Sequence, residues 1–522
     1  MIRLLIICLL LGFRCFAQMG VELPQPSLGL MDALQNTLEK QPGIQLQRQQ
    51  LNLNRGILQA AAGQFDTLVS AGLMQNHLNN PLTTIQELQY AHQGLFTSSL
   101  ASNTTTYTLN AQKLLRNGIT IGPNLTLNRN TDNIATREGL NQAQLAFQVT
   151  LPVLRGRGRD AVDAQERSSE STVEASLRDV NQTIAQLLTT TAIQYWNVVA
   201  AERNLVIATD SENRGRNYVQ DVQTLIDKDR VPRAEINQLI ANLDGRTASR
   251  IAAEAQLVSA QQNLALAMGL PHDEITVLPK AADPLPDWSA KSDPELTSEL
   301  IHNFVERALK DRADLIAANF RAQAARQLLP AARNQMLHQL NVSLSAGYNG
   351  LREGTDFGQS FTSTFNNVKG MNIIASVNWA FPVRNDAATG QFTQARAASE
   401  QAQLTEADLM RNVASNVVTS MSTLAYDVTG LRKAREAVAY YRLALNDELD
   451  KFHLGLNSLV DVLTMEDRLT SALTTEVSAQ LSYAVALENL RFATGTVIDA
   501  NTPVHNLDKN TFLRPPFEWE LQ

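Results

Sequence analysis

The chain has 522 residues, 44% of them hydrophobic and 18% charged, with 44 Lys plus Arg against 52 Asp plus Glu and a formal net charge of −8. That balance excludes a general nucleic-acid binder, which must neutralise many phosphates, so no nucleic-acid partner is expected. The 2 cysteines, Cys8 and Cys15, both precede Gln18; beyond them the chain can form no disulfide, thiolate metal site or cysteine nucleophile.

Residues 1–17 read MIRLLIICLLLGFRCFA, a basic residue, an apolar run and a small residue before a cleavage point near Gln18, as in a secretory signal peptide. Phe13 and Arg14 ahead of Cys15 do not suit lipid anchoring. Residues 18–27 form an N-terminal extension. No later stretch reaches the ~18 to 20 apolar residues of a membrane-spanning helix, so an exported chain of this kind would cross a membrane with strands.

A first unit, 28–270, reads as helix, strands, long helix and helix. In 145–153, Leu145, Phe147, Val149, Leu151 and Val153 alternate with smaller or polar residues. Segments 107–112 and 119–128 flank an Arg116-Asn117-Gly118 turn as an additional hairpin, which either adds strands to a sheet or lengthens an outer loop. From residue 160 to 227 no proline intervenes, and Leu177, Val180, Ile184, Leu187, Thr191, Gln194, Val198, Ala201, Leu205 and Ala208 recur at steps of four and three, the seam of a coiled coil. At 1.5 Å per residue such a helix reaches roughly 100 Å. Five prolines then mark a linker, 271–296.

The second unit, 297–497, repeats the order, and a tail follows, 498–522. Leu340, Val342, Leu344, Ala346 and Tyr348 alternate with polar or small residues, as do Ile373, Ala375, Val377, Trp379 and Phe381; residues 388–453 again hold a long helix. Gly269 and Gly495 each stand at a helix end, and the interval between them also links Glu235 to Asp461. LPVLRGRG (151–158) and AFPVRND (380–386) each place a proline where pairing must stop. Two structural repeats are the simplest account. The alternating strands fit a soluble sandwich and a transmembrane barrel equally, and the long helices alone fit an extended soluble coiled coil.

The ordered combination resembles the TolC-like outer membrane efflux protein family. MDALQNTLEKQPGIQLQRQQLNLNRGILQAAAGQFDT (31–67) is similar to the family's opening helix and first strand, LPVLRGRG to its strand-to-helix junction, and residues 452–495 to its closing helical hairpin. The resemblance implies a mostly α protein with β. Three chains, each giving four strands, would share an outer membrane β-barrel continuous with a long periplasmic α-helical coiled-coil barrel. It implies a homotrimer in outer membrane lipid that meets a periplasmic adaptor (membrane fusion) protein and, indirectly or at its tips, an inner-membrane transporter. The job implied is passive: an exit duct in a tripartite efflux pump or type I secretion system, passing small molecules or polypeptides. Sharing is also physically required, because four strands alone would leave open edges in lipid.

The resemblance also locates candidate sites. The turn from Phe452 to Asp461, with Gly455, Leu456 and Ser458, is similar to the family's adaptor-contact tip; the corresponding first turn carries Asp229, Val231 and Pro232, with Asp229 in register with Gly455. Asp461 matches an aspartate lining the periplasmic aperture, with Glu235 its counterpart in the first repeat. Thr464 replaces the pattern's next aspartate, with Glu466 and Asp467 nearby. A ring of carboxylates there would favour cations; Asp461 also suits the positive end of a helix.

Arg155-Gly156-Arg157-Gly158-Arg159 lacks the Lys-Ser/Thr ending of a phosphate loop and reads as a basic junction beneath the barrel. The 7 histidines show no zinc spacing and no nucleophile elbow is present. No enzymatic activity, cofactor or metal is expected. A secreted coiled-coil scaffolding or interaction protein is the competing reading, separated by whether the chain needs detergent to stay soluble.

Overall fold

In the computed structural model, residues 27–228, 233, 235–272, 278–287, 296–454, 456–498 and 512–513 are described. Two compact units are built from interleaved segments. One, helical, comprises Met1–Gln49, Arg178–Ile316 and Leu409–Gln522; the other, bearing the strands, comprises Gln50–Leu177 and Ala317–Asp408.

In chain order the elements begin with α1 (Leu30–Lys40), α2 (Pro42–Gly63), β1 (Thr67–Pro81), α3 (Thr84–His92), β2 (Ser99–Leu114), β3 (Thr120–Asp132) and β4 (Leu140–Pro152). A short turn α4 (Arg159–Val162) leads into α5 (Ala164–Asp227), then α6 (Glu235–Met268), α7 (Ser298–Asp311), α8 (Ala313–Gln335) and β5 (Gln339–Glu353). The last elements are α9 (Phe357–Thr362), a 3₁₀ turn (Ser363–Phe365), β6 (Met371–Ala380), α10 (Asp386–His453) and α11 (Leu459–Ala493). The proline-free runs become α5 and α10, of 64 and 68 residues.

The strand-bearing unit holds one sheet of 6 strands in the order β1-β2-β3-β4-β5-β6, every neighbouring pair antiparallel. The additional hairpin of the sequence is therefore β2–β3, seated between β1 and β4. The resemblance implies four barrel strands per chain, whereas the sheet of this chain holds six, with β2 and β3 paired between β1 and β4. Register keeps the faces uniform. Ala71, Leu109, Leu125, Leu145, Tyr348 and Met371 form one row across the sheet, and the next row, on the opposite face, is Ser70, Asn110, Asn124, Ala146, Gly347 and Asn372.

Among the described residues no second sheet lies against this one, and β1 and β6 are exposed along their whole length. Leu73 and Val377 stand 68% and 69% exposed. A soluble sandwich hides one face of each sheet, so that expectation is not met here.

In the helical unit the seam of α5 is buried at Val180, Ile184, Thr191, Val198 and Ala201. Leu188, Ala192, Tyr195, Trp196, Val199 and Ala200 are buried too, so this stretch of α5 is covered on more than a single stripe. A second apolar cluster joins Phe304 and Ala308 of α7 to Val413, Val417, Met421, Leu424, Val428 and Leu431 of α10 and to Tyr483, Leu487 and Leu490 of α11. Residues 278–287 of the proline-rich segment are pinned to this unit. Leu28 bridges Ala281, the Asp283 carboxylate accepts from the Leu30 N–H at 2.8 Å, and the Tyr195 hydroxyl donates to Leu28 O at 3.0 Å.

Candidate functional site

The candidate tip residues fall in the helical unit, at the turn joining α10 to α11. The last turn of α10 is closed by Leu454 N–H donating to Asp450 O and Leu456 N–H to Lys451 O, at 3.1 and 2.9 Å. Asn457 reaches back with its amide to Glu448, donating to the backbone O at 3.1 Å and to the carboxylate. Lys451, 2.6 Å from that carboxylate, and then Asn457 hold Glu448 below the usual carboxylate range.

Asp461 occupies the first turn of α11. Its carboxylate accepts from the Ser458 hydroxyl at 2.7 Å and the Ser458 N–H at 3.0 Å, and both contacts depress its pKa, the hydroxyl more strongly. This is the reciprocal half of a capping box, so the helix-cap role is a structural fact and leaves the side chain exposed. Thr464 is exposed one turn on, its hydroxyl donating to Val460 O at 2.8 Å. Leu456 and Ser458 are exposed. Leu454 and Leu456, each 74% exposed, together with Val460 at 48%, make the turn an apolar knob held on a polar frame.

Beneath it, Leu459 and Leu463 of α11 pack on Val222 and Ile226 of α5 and Leu239 of α6. The two helical hairpins therefore share one core. Asp229, Val231, Pro232 and Gly455 lie outside the described residues, as does the side chain of Glu235, the first residue of α6.

Farther along the same helices lies a cluster of charges of which sequence analysis singled out Glu466 and Asp467 alone. Glu466, fully buried, accepts from Arg214 of α5 at 2.5 Å and lies 3.5 Å from Arg246 of α6. Arg246, itself buried, also reaches Asp467 at 2.8 Å and the Ser211 backbone O at 3.1 Å. Glu212 is met by Arg216, Arg250 and Thr247. Its burial would raise its pKa, but the hydrogen bonds from Thr247, Arg250 and Arg216 outweigh that and hold it low. The available signal was the seam itself, whose next step of four beyond Ala208 is Glu212, a carboxylate where an apolar residue is due. Among the described residues no group of His, Cys, Asp and Glu is arranged to hold a metal.

The junction Arg155–Arg159 is a turn in the strand-bearing unit. Gly156 and Gly158 take φ of +81° and +91°, Arg155 donates to the Gln339 side chain at 2.5 Å, and Arg159 lies 3.2 Å from Asp163.

Comparison with known proteins fits this geometry. Residues 304–496 match the family described as outer membrane efflux protein. The chain is 23% identical over 361 residues to the outer membrane protein TolC of Vibrio cholerae, covering 69% of this chain and 76% of that one. In fold it is similar to the Campylobacter jejuni CmeC outer membrane channel, with TM-score 0.64 at 13% identity over 91% of this chain and 87% of the other. The outer membrane protein VceC of Vibrio cholerae gives TM-score 0.63 at 14% identity over 89% and 96%. Of these, CmeC is an outer membrane channel, and TolC and VceC are outer membrane proteins.

Proposed function

We propose that this chain is a TolC-like protein of the outer membrane efflux family, whose family model matches residues 304–496, and that it is the exit duct of a tripartite efflux pump or type I secretion system. It passes small molecules or polypeptides passively, delivered by an inner-membrane transporter through a periplasmic adaptor. The observation that carries this reading is the single sheet with one mostly apolar face, one mostly polar face and two unpaired edges. Such edges are not tolerated in lipid; three copies, pairing β6 of one with β1 of the next, close a barrel and remove them. The long helices of three copies then assemble as a periplasmic coiled-coil barrel.

At the helix ends, Asp461, Thr464 and Glu235 line the aperture, and the tips carrying Asp229, Val231, Pro232, Gly455, Leu456 and Ser458 meet the adaptor. Support for the adaptor role comes from the exposed Leu454, Leu456 and Val460, apolar side chains that a partner hairpin would cover.

Deleting the gene should raise cellular accumulation of a panel of fluorescent toxic compounds, with restoration by a plasmid copy. Accumulation that stays unchanged, together with unaltered export of polypeptides by the same cells, would contradict the duct.

A further inference from the structure

We infer that β2 and β3 are lipid-facing barrel strands, so that each chain contributes six strands and three chains close an eighteen-stranded barrel with a wide lumen charged only at strand ends. This rests on the outer-membrane reading above and deepens it.

The first argument is register. Leu109 of β2 and Leu125 of β3 stand in the same cross-sheet row as Leu145, Tyr348 and Met371. Their chain neighbours Asn110 and Asn124 stand in the polar row. An outer loop has no reason to continue this alternation through both of its arms, whereas a barrel wall requires it.

The second is length. From the start of β1 to the end of β4 the chain runs from residue 67 to 152, while β5 and β6 take only 339 to 380. The excess is about the length of β2, β3 and their connections, a hairpin inserted whole into the wall.

The third is anchorage at the base. Arg116, in the β2–β3 turn, grips Glu166 of α5 through two nitrogens at 2.6 and 2.8 Å and lies 4.7 Å over the Phe65 ring. Gly118, at φ +94°, comes so close to Gly156 that a Cβ there would sit 2.0 Å from the Gly156 O. The turn is thus built into the strand-to-helix junction.

The fourth identifies the medium. Helix α9 and the 3₁₀ turn after it lie over the end of the apolar face with their polarity reversed. Ser360, Ser363 and Thr364 are buried, and the Ser360 hydroxyl donates to the Asn141 side chain at 2.6 Å. Phe357, Phe361 and Phe365 point outward at 53%, 49% and 81% exposure. Tyr107 of β2 joins that aromatic edge, its ring 5.7 Å from Phe357. A helix in water hides its aromatic side and shows its hydroxyls; the opposite arrangement fits acyl chains, with aromatic rings at the membrane boundary.

The functional consequence lies on the other face. Across β2 to β5 it is Thr, Asn, Gln and Ser, with Thr104 and Thr106 hydrogen-bonded to Asn130 and Asn128. Its charged residues, Asp132 and Glu353, stand at strand ends. Barrels of about 16 to 18 strands hold an aqueous channel. The wall of this barrel does not sort hydrated solutes and extended polypeptides by charge, which leaves charge preference to the aperture at the helix ends.

The test uses the full chain with Cys8 and Cys15 replaced by Ser, reconstituted in liposomes, with single cysteines labelled by an environment-sensitive fluorophore. Leu109→Cys and Leu125→Cys are the probes, Leu145→Cys and Val377→Cys the references, and Asn110→Cys and Asn124→Cys the lumen positions. Nitroxide-labelled acyl chains should quench positions 109 and 125 to within about twofold of 145 and 377, while iodide should quench 110 and 124. Quenching by lipid at 145 and 377 but not at 109 and 125 would overturn the six-strand barrel and leave the duct standing. Absence of lipid quenching at all four would overturn the outer-membrane reading beneath it. Direct imaging supplies an independent check without substitution: eighteen strands around the ring support the inference, and twelve reject it.

Discussion

Asp461 caps the start of α11 and, in the proposed duct, also lines the aperture. Because its folded-state pKa is depressed by the Ser458 hydroxyl and N–H, its contribution to the helix start is present above the ordinary value of 3.8 and is lost as pH falls through the folded-state value. Asp461→Asn should therefore weaken the cap and, in planar bilayer recordings, reduce cation preference. An unaltered reversal potential would place this carboxylate outside the pore.

Glu488 behaves in the reverse sense. It is fully buried, accepts from the Trp196 indole at 3.2 Å, and burial pushes its pKa up to about 8 against the tempering effect of Trp196 and Arg491. The native state then holds a proton the unfolded chain has lost, so stability falls as pH rises from about 4.5 to about 8. Glu488→Gln should flatten that decline and raise stability at pH 8 to 9 by on the order of a few kcal/mol. A thermal-melt profile with the same slope as the parent would refute this. Glu466→Ala, by contrast, leaves Arg214 and Arg246 facing an empty site; loss of one partner from a buried pair costs about 3 to 5 kcal/mol. Removing Arg216, whose side chain is 62% exposed, should cost well under half of that.

At the scale of elements, the two helix-ending glycines separate backbone strain from crowding. Gly269 and Gly495 adopt φ of +71° and +69°, where any other L-residue is strained by about 1 to 2 kcal/mol. A Cβ on Gly269 would sit 2.5 Å from the Gln41 Cα, whereas one on Gly495 meets the Arg312 side chain at 3.2 Å, an atom that can move. Gly269→Ala should accordingly destabilise more than Gly495→Ala in denaturant melts; equal losses would mean that conformation alone sets the cost.

The sequence made both glycines visible, along with α5, α10 and the alternation of β4, β5 and β6, because each carries a strong local period. It left the β2–β3 hairpin undecided, since whether two strands join a sheet depends on partners far along the chain. The family resemblance implies four barrel strands per chain, and the sheet holds six. The Arg214–Glu466–Arg246 cluster was mostly hidden for the same reason: its members come from three helices. The knob of Leu454, Leu456 and Val460 could be placed only once the turn's exposure was known, while Asp461 was readable as a carboxylate at the positive end of a helix.

For the whole molecule, β1 and β6 are exposed along their length, and in the proposed duct they are completed by other copies. If three chains share the barrel, mild detergent should release a particle with the mass of three 57.4 kDa chains, less the mass of any cleaved leader, and separation into single chains should require denaturation. Aperture and tips would then sit as rings of three, so each substitution at Asp461 or Leu456 acts threefold on conductance or adaptor binding.

The most direct measurement is single-particle imaging of the protein extracted from outer membranes in mild detergent. The expected result is a three-fold particle with a detergent belt around a β-barrel and a long assembly of helices beyond it. Soluble particles without a belt, or belted particles lacking three-fold symmetry, would contradict it.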